Sequence, residues 1–292
     1  MLNIILFGSG GQLGAEFISR MKNEHKLSIF KRSDCDITDY KKVRQSVLEI
    51  QPDIILNCAA YTNVDGAEKD SSNSNIVNNL ALENLSNVAN ESNSTLIHFS
   101  TDYVFNSSSI NPIKENHPKS PLNQYGLSKH LGEEKIKTIC NKFFIFRVGW
   151  VYGKYGDNFP KKIIDLAKKN IEIKVIDDQI GVPTPTSFIV KVVKELLNDN
   201  DKLSKYGVYN ISPDGIASWY EVALIIKSRI DEMRNDDFKL EKVIPVKSSE
   251  FKSLAKRPKY SCLCNEKIKN MFKINPLHWK IYLDNFLDEI LI

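Results

Sequence analysis

The chain has 292 residues, of which 42% are hydrophobic, 26% charged and 10% aromatic, with 13 Gly and 11 Pro. This ordinary globular usage allows one sizeable core or two modest ones, and it excludes a disordered, collagen-like or coiled-coil chain. Forty basic against 36 acidic side chains leave a net charge of +4. The basic residues are dispersed, so no nucleic-acid partner is expected, and no apolar run nears the roughly 20 residues that span a bilayer, so no membrane is expected either.

Five cysteines, Cys35, Cys58, Cys140, Cys262 and Cys264, make an odd number suited to reduced thiols rather than to a disulfide framework. The lone Cys262-x-Cys264 pair supplies only two of the four ligands of a tetrahedral zinc site. The apolar start at residues 4–7 runs straight into glycines, without the basic stretch and cleavage site of a secretory leader. A cytoplasmic enzyme is expected.

In chain order, short apolar runs at residues 4–7, 27–30, 54–57, 96–99 and 143–146 alternate with helically spaced stretches such as Leu13, Phe17, Met21 and Val43, Val47, Ile50. Strands without polar alternation belong to a parallel sheet covered on both faces, and strand–helix repetition predicts a doubly wound α/β fold with right-handed crossovers. The polar stretch 106–123 reads as a long ordered loop. After about Trp150 the alternation breaks. Helical stretches at 158–169 and 187–198 flank a short run at 173–176 and a Pro-rich turn at 182–185. Then follow a helix at 218–230, a Pro- and Lys-rich segment at 243–260 and a last helix near 279–290. The expected domains are 1–150, binding a dinucleotide, and 151–292, a smaller mixed α/β lobe binding substrate, with a return of the chain to the first domain near 187–200 left open.

Directly after the first strand, Gly8-Ser-Gly-Gly-Gln-Leu-Gly14 opens into a helix. Gly8, Gly11 and Gly14 allow a tight turn and a close backbone approach, so that a pyrophosphate can sit on N–H groups at the positive helix end. After the second strand come Lys31 and Arg32 where an NAD site would carry an acid, with Asp34 and Asp36 close by. The two cations favour a 2′-phosphate, hence NADPH, with NADH still open.

Tyr125-Gly-Leu-Ser-Lys129 places a phenol and an ammonium on one helical face. A free phenol titrates near 10, too high for easy proton exchange at neutral pH, and a nearby cation would lower it. Ser100-Thr101-Asp102-Tyr103 supplies a hydroxyl at the end of the fourth strand. Arg257, in Ala255-Lys-Arg-Pro258, presents a planar fork that suits either a diphosphate or a surface ion pair.

These segments, with residues 57–65, 147–152, 178–184, 218–220 and 256–261, resemble in order and over nearly the whole chain the extended short-chain dehydrogenase/reductases, and most narrowly the dTDP-4-dehydrorhamnose reductases. The resemblance implies NAD(P)H-dependent reduction of the 4-keto group of dTDP-4-dehydro-L-rhamnose to dTDP-L-rhamnose for surface polysaccharide. It implies that Tyr125 donates the proton, that Lys129 serves as its pKa partner and ribose ligand, and that Thr101 tunes the pair. Gly11, Gln12 and Leu13 would hold the pyrophosphate. Asp36 and Ile37 would flank the adenine, and Cys58, Ala59 and Ala60 would line the cleft above Phe99. Asp102 and Trp150 match positions that touch the sugar nucleotide. Val148-Gly149 stands where the family often has Thr-Ser, which removes two hydroxyls beside the sugar. Glu16 matches one glutamate of a magnesium site found in some members, but the stretch 186–189 offers no acidic partner, so no structural metal is expected. A homodimer is left open. Rival readings are a reductase of another nucleoside-diphosphate 4-keto deoxysugar and a non-catalytic regulatory subunit of the same fold.

Overall fold

The structure is a computed structural model that describes residues 1–106, 111–234 and 236–291. Its strands are β1 (Asn3–Phe7), β2 (Lys26–Phe30), β3 (Ile54–Asn57), β4 (Thr95–Thr101), β5 (Phe143–Val148), β6 (Glu172–Ile176), β7 (Gly207–Asn210) and β8 (Lys242–Val246). The main helices are α1 (Gln12–Met21), α2 (Tyr40–Ile50), α3 (Ala81–Glu91), α4 (Gln124–Ile139), α5 (Phe159–Ala167), α6 (Thr186–Leu197), α7 (Trp219–Met233), α8 (Glu266–Phe272) and α9 (Trp279–Leu291).

Six strands form one parallel sheet in the order β7-β5-β4-β3-β1-β2. The strand order reverses beside β1: the chain goes outward to β2 and then returns to β3 on the other side. Beyond the carboxyl ends of β1 and β3 the loops part, leaving the crevice in which doubly wound sheets bind ligands. Every residue of β3 and β4 is buried. One face of the sheet packs on α1, α6 and α8 through Phe17, Met21, Ile189, Val193 and Phe272. The other packs on α2, α3 and α4 through Val43, Val47, Leu82, Leu85 and Ile136.

A second core joins α5, α7 and α9 to the parallel pair β6 and β8, around Ile163, Val222, Ile226, Trp279 and Leu283. Residues 186–210 return to the sheet: α6 buries its apolar stripe against α1, and β7 pairs with β5. The 243–260 segment begins within β8, whose Pro245 hides the strand from a reading of composition. Of the polar loop 106–123, residues 107–110 lie outside the described residues. The remainder is tied down by an Ile113–Leu263 bridge and by Glu115, which accepts from the Asn210 N–H. All five cysteines are free. Among the described residues no helix is long and apolar enough to cross a membrane.

One buried ion pair locks α4 to the sheet. Arg147 on β5 donates Nε to Glu133 Oε1 at 2.8 Å and Nη2 to Oε2 at 2.6 Å, while Nη1 donates to the Glu115 carbonyl. Both side chains are essentially inaccessible. Breaking such a pair strands a charge in the interior, so Glu133→Gln should lower the free energy of unfolding in urea by about 3–5 kcal/mol. The double change Glu133→Leu with Arg147→Met should cost much less, because no charge is left uncompensated.

Candidate active site

The crevice begins at the glycine turn. Gly8 has φ 79°, a conformation in which any other residue is strained, and a Cβ there would lie 2.4 Å from the Ala59 backbone nitrogen. A Cβ on Gly14 would lie 2.4 Å from the Gly8 carbonyl, so the close packing of helix on turn needs both glycines. Gly11 is the N-cap of α1 and no side chain caps it, which leaves the first helical N–H groups free for an anion. The Ser9 hydroxyl is buried there and finds no partner among the described residues. The turn, its donors and this orphaned hydroxyl fit a dinucleotide pyrophosphate.

Beside the turn lies a cavity of about 240 Å³. Gly8, Gly11, Arg32, Asp36, Ile37, Cys58, Ala59 and Ala60 meet around it, together with Gly10, Cys35, Tyr61 and Val77, which the sequence did not single out. Arg32 Nε donates to Asp36 Oδ2 at 2.8 Å. Burial alone would raise the Asp36 carboxyl, but hydrogen bonds from Thr38 and Arg32 outweigh it and hold the group below its ordinary value. The exposed Lys31 is not part of the cavity wall. Burial pushes the Cys58 thiol far above its ordinary value, so it stays protonated and serves as a small wall. Gln12, Leu13 and Phe99 lie apart from this cavity. Gln12 Oε1 accepts from Asn158 Nδ2 at 2.8 Å, a contact between the lobes. Leu13 packs on the sheet core, and Phe99 stacks on Phe146 and meets Phe17 at a tilt.

The residues expected to react lie at the end of β4 and the start of α4. Thr101 Oγ1 donates to Asp102 Oδ1 at 3.0 Å and accepts from the Tyr103 N–H at 3.2 Å. The N-cap Asn123 starts α4, accepting from the Gly126 N–H at 2.7 Å and donating to the Lys256 carbonyl of the second lobe at 2.8 Å. Tyr125 stands on the first turn, edge-to-face with Tyr103. Burial pushes its phenol up to about 12; a hydrogen bond with Thr101 works against the rise and the Asp102 charge adds to it. Lys129 does not act on it here. Its Nζ turns inward, donating to the Phe99 carbonyl at 2.6 Å and meeting His98 Nε2 at 3.0 Å. The lowering of the phenol expected from spacing alone is therefore absent in this arrangement, because burial dominates. Burial likewise takes Lys129 down to about 7, with Glu133 opposing, and holds His98 well below its ordinary value. His98 and Asn57 were not foreseen. The signal available was a polar residue inside a fully apolar strand, which a core tolerates only when it is hydrogen-bonded.

On the second-lobe side, Trp150 has φ 49°, a strained setting for a bulky residue, and stacks at 3.4 Å on Trp219, which sequence reasoning also missed. Gly149 abuts Asp102, where a Cβ would lie 2.9 Å from the carboxyl, and Val148 is core. The two residues before the tryptophan thus make room for Asp102 and fill the interior. Arg257 Nη2 donates to Asp65 Oδ2 at 2.9 Å, an ion pair between segments 192 residues apart in the chain. Burial would raise the Asp65 carboxyl, but bonds from the Ala255 N–H, Arg257 and Ser253 pull it down to about 2. Glu16 pairs with Arg20 and accepts from Thr186 Oγ1. No cluster of three His, Cys, Asp or Glu that could hold a metal occurs among the described residues.

A doubly wound sheet with a glycine turn at its switch point and a Thr–Tyr–Lys group at the end of β4 defines an extended short-chain dehydrogenase/reductase. The chain belongs to the family described as RmlD substrate binding domain, whose model matches residues 2–292. It is 34% identical to the spore coat polysaccharide biosynthesis protein SpsK of Bacillus subtilis (strain 168), over 99% of this chain and 98% of that one. It is 33% identical to dTDP-4-dehydrorhamnose reductase of Escherichia coli (strain K12), with the same coverage. The crystal structure of dTDP-4-dehydrorhamnose reductase from Bacillus anthracis in complex with NADP superimposes with a TM-score of 0.92 at 36% identity, covering 99% of both chains.

Burial raises the Asp102 carboxyl from 3.8 to about 6, against hydrogen bonds from Ser261 and Thr101. Between those values the native state binds a proton that the unfolded chain does not, so stability falls as pH rises through that window. The buried charge costs about 3 kcal/mol once fully ionised. Asp102→Asn should therefore raise the midpoint of thermal unfolding above wild type at about pH 8 and leave it close to wild type below about pH 3, where the carboxyl is protonated in both states.

Proposed function

We propose that this protein is an NADPH-dependent reductase that converts dTDP-4-dehydro-L-rhamnose to dTDP-L-rhamnose for surface polysaccharide. The observation that carries this reading is the family match over residues 2–292 in a chain whose Thr101, Tyr125 and Lys129 converge at the carboxyl end of the sheet. The dTDP-4-dehydrorhamnose reductases of Escherichia coli and Bacillus anthracis, the latter solved with NADP, support it. In this reading residues 1–150 hold the cofactor and 151–292 the sugar nucleotide, and the protein works in the cytoplasm as a monomer or homodimer.

NADPH, when bound, supplies a hydride to a carbonyl carbon. The N–H groups of the Gly8–Gly14 turn would hold the pyrophosphate, with Gln12 and Leu13 at the helix start. Arg32, already at the cavity wall, would take the 2′-phosphate and release Asp36. Asp36 and Ile37 would flank the adenine, and Cys58, Ala59 and Ala60 would keep the wall small above Phe99. Lys129 would reach the ribose. Tyr125 Oη would donate its proton to the oxygen of the reduced carbon, with Thr101 hydrogen-bonded to the phenolate that remains. Asp102 and Trp150 would contact the sugar, and Arg257 would exchange Asp65 for the diphosphate.

The test is oxidation of NADPH on addition of dTDP-4-dehydro-L-rhamnose, with the product configuration read by NMR. Tyr125→Phe removes one oxygen and leaves the ring to pack, so kcat should fall by about 10²–10⁴-fold while NADPH binding and melting temperature stay close to wild type. Retention of near wild-type kcat would sink the assignment.

Arg32→Ala should raise KM for NADPH far more than KM for NADH, whereas Lys31→Ala, away from the cavity, should change neither. Equal effects on the two cofactors would show that Arg32 does not read the 2′-phosphate.

A further inference from the structure

Beneath the Tyr125 turn of α4, a chain of buried hydrogen bonds has donors and acceptors that can be assigned by elimination. Asn57 closes β3 and is inaccessible. Its Oδ1 accepts from the Ala59 backbone N–H at 3.0 Å. A backbone N–H can only donate, so the amide cannot be reversed, and it is Nδ2, a donor, that faces His98 Nδ1 at 3.0 Å. His98 Nδ1 must therefore accept. A neutral imidazole that accepts at Nδ1 carries its proton on Nε2. That Nε2 lies 3.0 Å from Lys129 Nζ. An N–H facing an ammonium would set two donors against each other with no acceptor between them. An N–H facing a neutral amine makes an ordinary hydrogen bond. Donation from Nζ to the Phe99 carbonyl is open to either form.

We infer that Asn57 and His98 hold Lys129 as a neutral amine in the resting protein, and that both are positioning residues for the reductase centre proposed above, on which the catalytic part of the inference rests. The titratable groups around Lys129 are His98 on β4 and Asp102 just beyond it, Tyr125 and Glu133 on α4, and Arg147 on β5. Glu133 favours the charged amine, but both its oxygens are engaged by Arg147. His98 is itself held neutral by burial, so it does not compete for the proton. Lys129 titrates at about 7 under burial, the direction that the hydrogen bonds require. Protonation breaks the bond from His98 and supplies the cation that favours loss of the Tyr125 proton. The reductase kcat should therefore fall as pH rises through the Lys129 titration.

The test uses the full chain labelled with ¹⁵N-histidine and ¹³Cε-lysine, without substrate. His98 should show a protonated Nε2 and a bare Nδ1, and Lys129 should titrate close to neutrality. Asn57→Asp keeps the bond from Ala59 but offers His98 an acceptor, which moves the ring proton to Nδ1 and turns Nε2 into an acceptor for an ammonium. The Lys129 titration should then rise by at least about one pH unit, and the alkaline fall of kcat should rise with it. A His98 protonated on Nδ1 in the wild type, a wild-type Lys129 titrating near the ordinary 10.4, or a titration unmoved by Asn57→Asp would each overturn the inference. The wild-type spectra decide the matter even if the variant does not fold. The expected spectra in a protein inactive on the sugar nucleotide would uphold the Lys129 assignment and refute the reductase reading instead.

Discussion

The organising constraint is that α4 turns polar side chains, not a stripe of leucines, toward the interior. Ser128, Lys129 and Glu133 are buried along it, with Ile136 the one large apolar residue among its buried positions. Taking charged and polar groups out of water is costly unless each is met by charge or hydrogen bonds. Each is met by the sheet: Glu133 by Arg147 on β5, and Lys129 by His98 and the Phe99 carbonyl on β4. Ser128 is held by Ser74 and Asn78, which lie just before α3 in the chain. The choice of residue at Asn57, His98 and Arg147 follows from what α4 buries. Since Tyr125 rides on the same helix, the contacts that hold the fold also fix where its phenol stands.

The apolar strands of the first half were legible because a parallel sheet covered on both faces needs uninterrupted hydrophobic runs, and each of the five expected strands is present. The strand β7 was not, because Gly207-Val-Tyr-Asn210 is four residues with two apolar side chains and follows a charged stretch. Its place in the sheet is decided by pairing with β5, and pairing is invisible in local sequence. The strand β8 was obscured by Pro245, which an edge strand tolerates.

The site was legible where a motif has a fixed local geometry. The glycine turn and the segment 58–60 meet around one cavity because both leave the sheet at its switch point. Lys31 and Arg32 could not be told apart in sequence, since only the local bend after β2 decides which one faces the cavity. The inward turn of Lys129 was likewise illegible. Helical spacing puts Lys129 on the face of Tyr125, but the partner that captures its nitrogen comes from a strand 31 residues away. The Trp150–Trp219 stack joins the turn after β5 to the start of α7, which no short pattern connects.

The position of β7 also bears on the order in which the molecule can be built. Until residues 207–210 have emerged from the ribosome, β5 is the rim of an otherwise finished sheet, with its outward N–H and C=O groups unpaired and with Phe144 and Phe146 not yet covered by Tyr209. A half-made sheet with an open apolar rim is the kind of intermediate that pairs with its neighbours. The nascent chain is therefore most exposed to aggregation while the second lobe is being synthesised, and closure of the first lobe waits on the second.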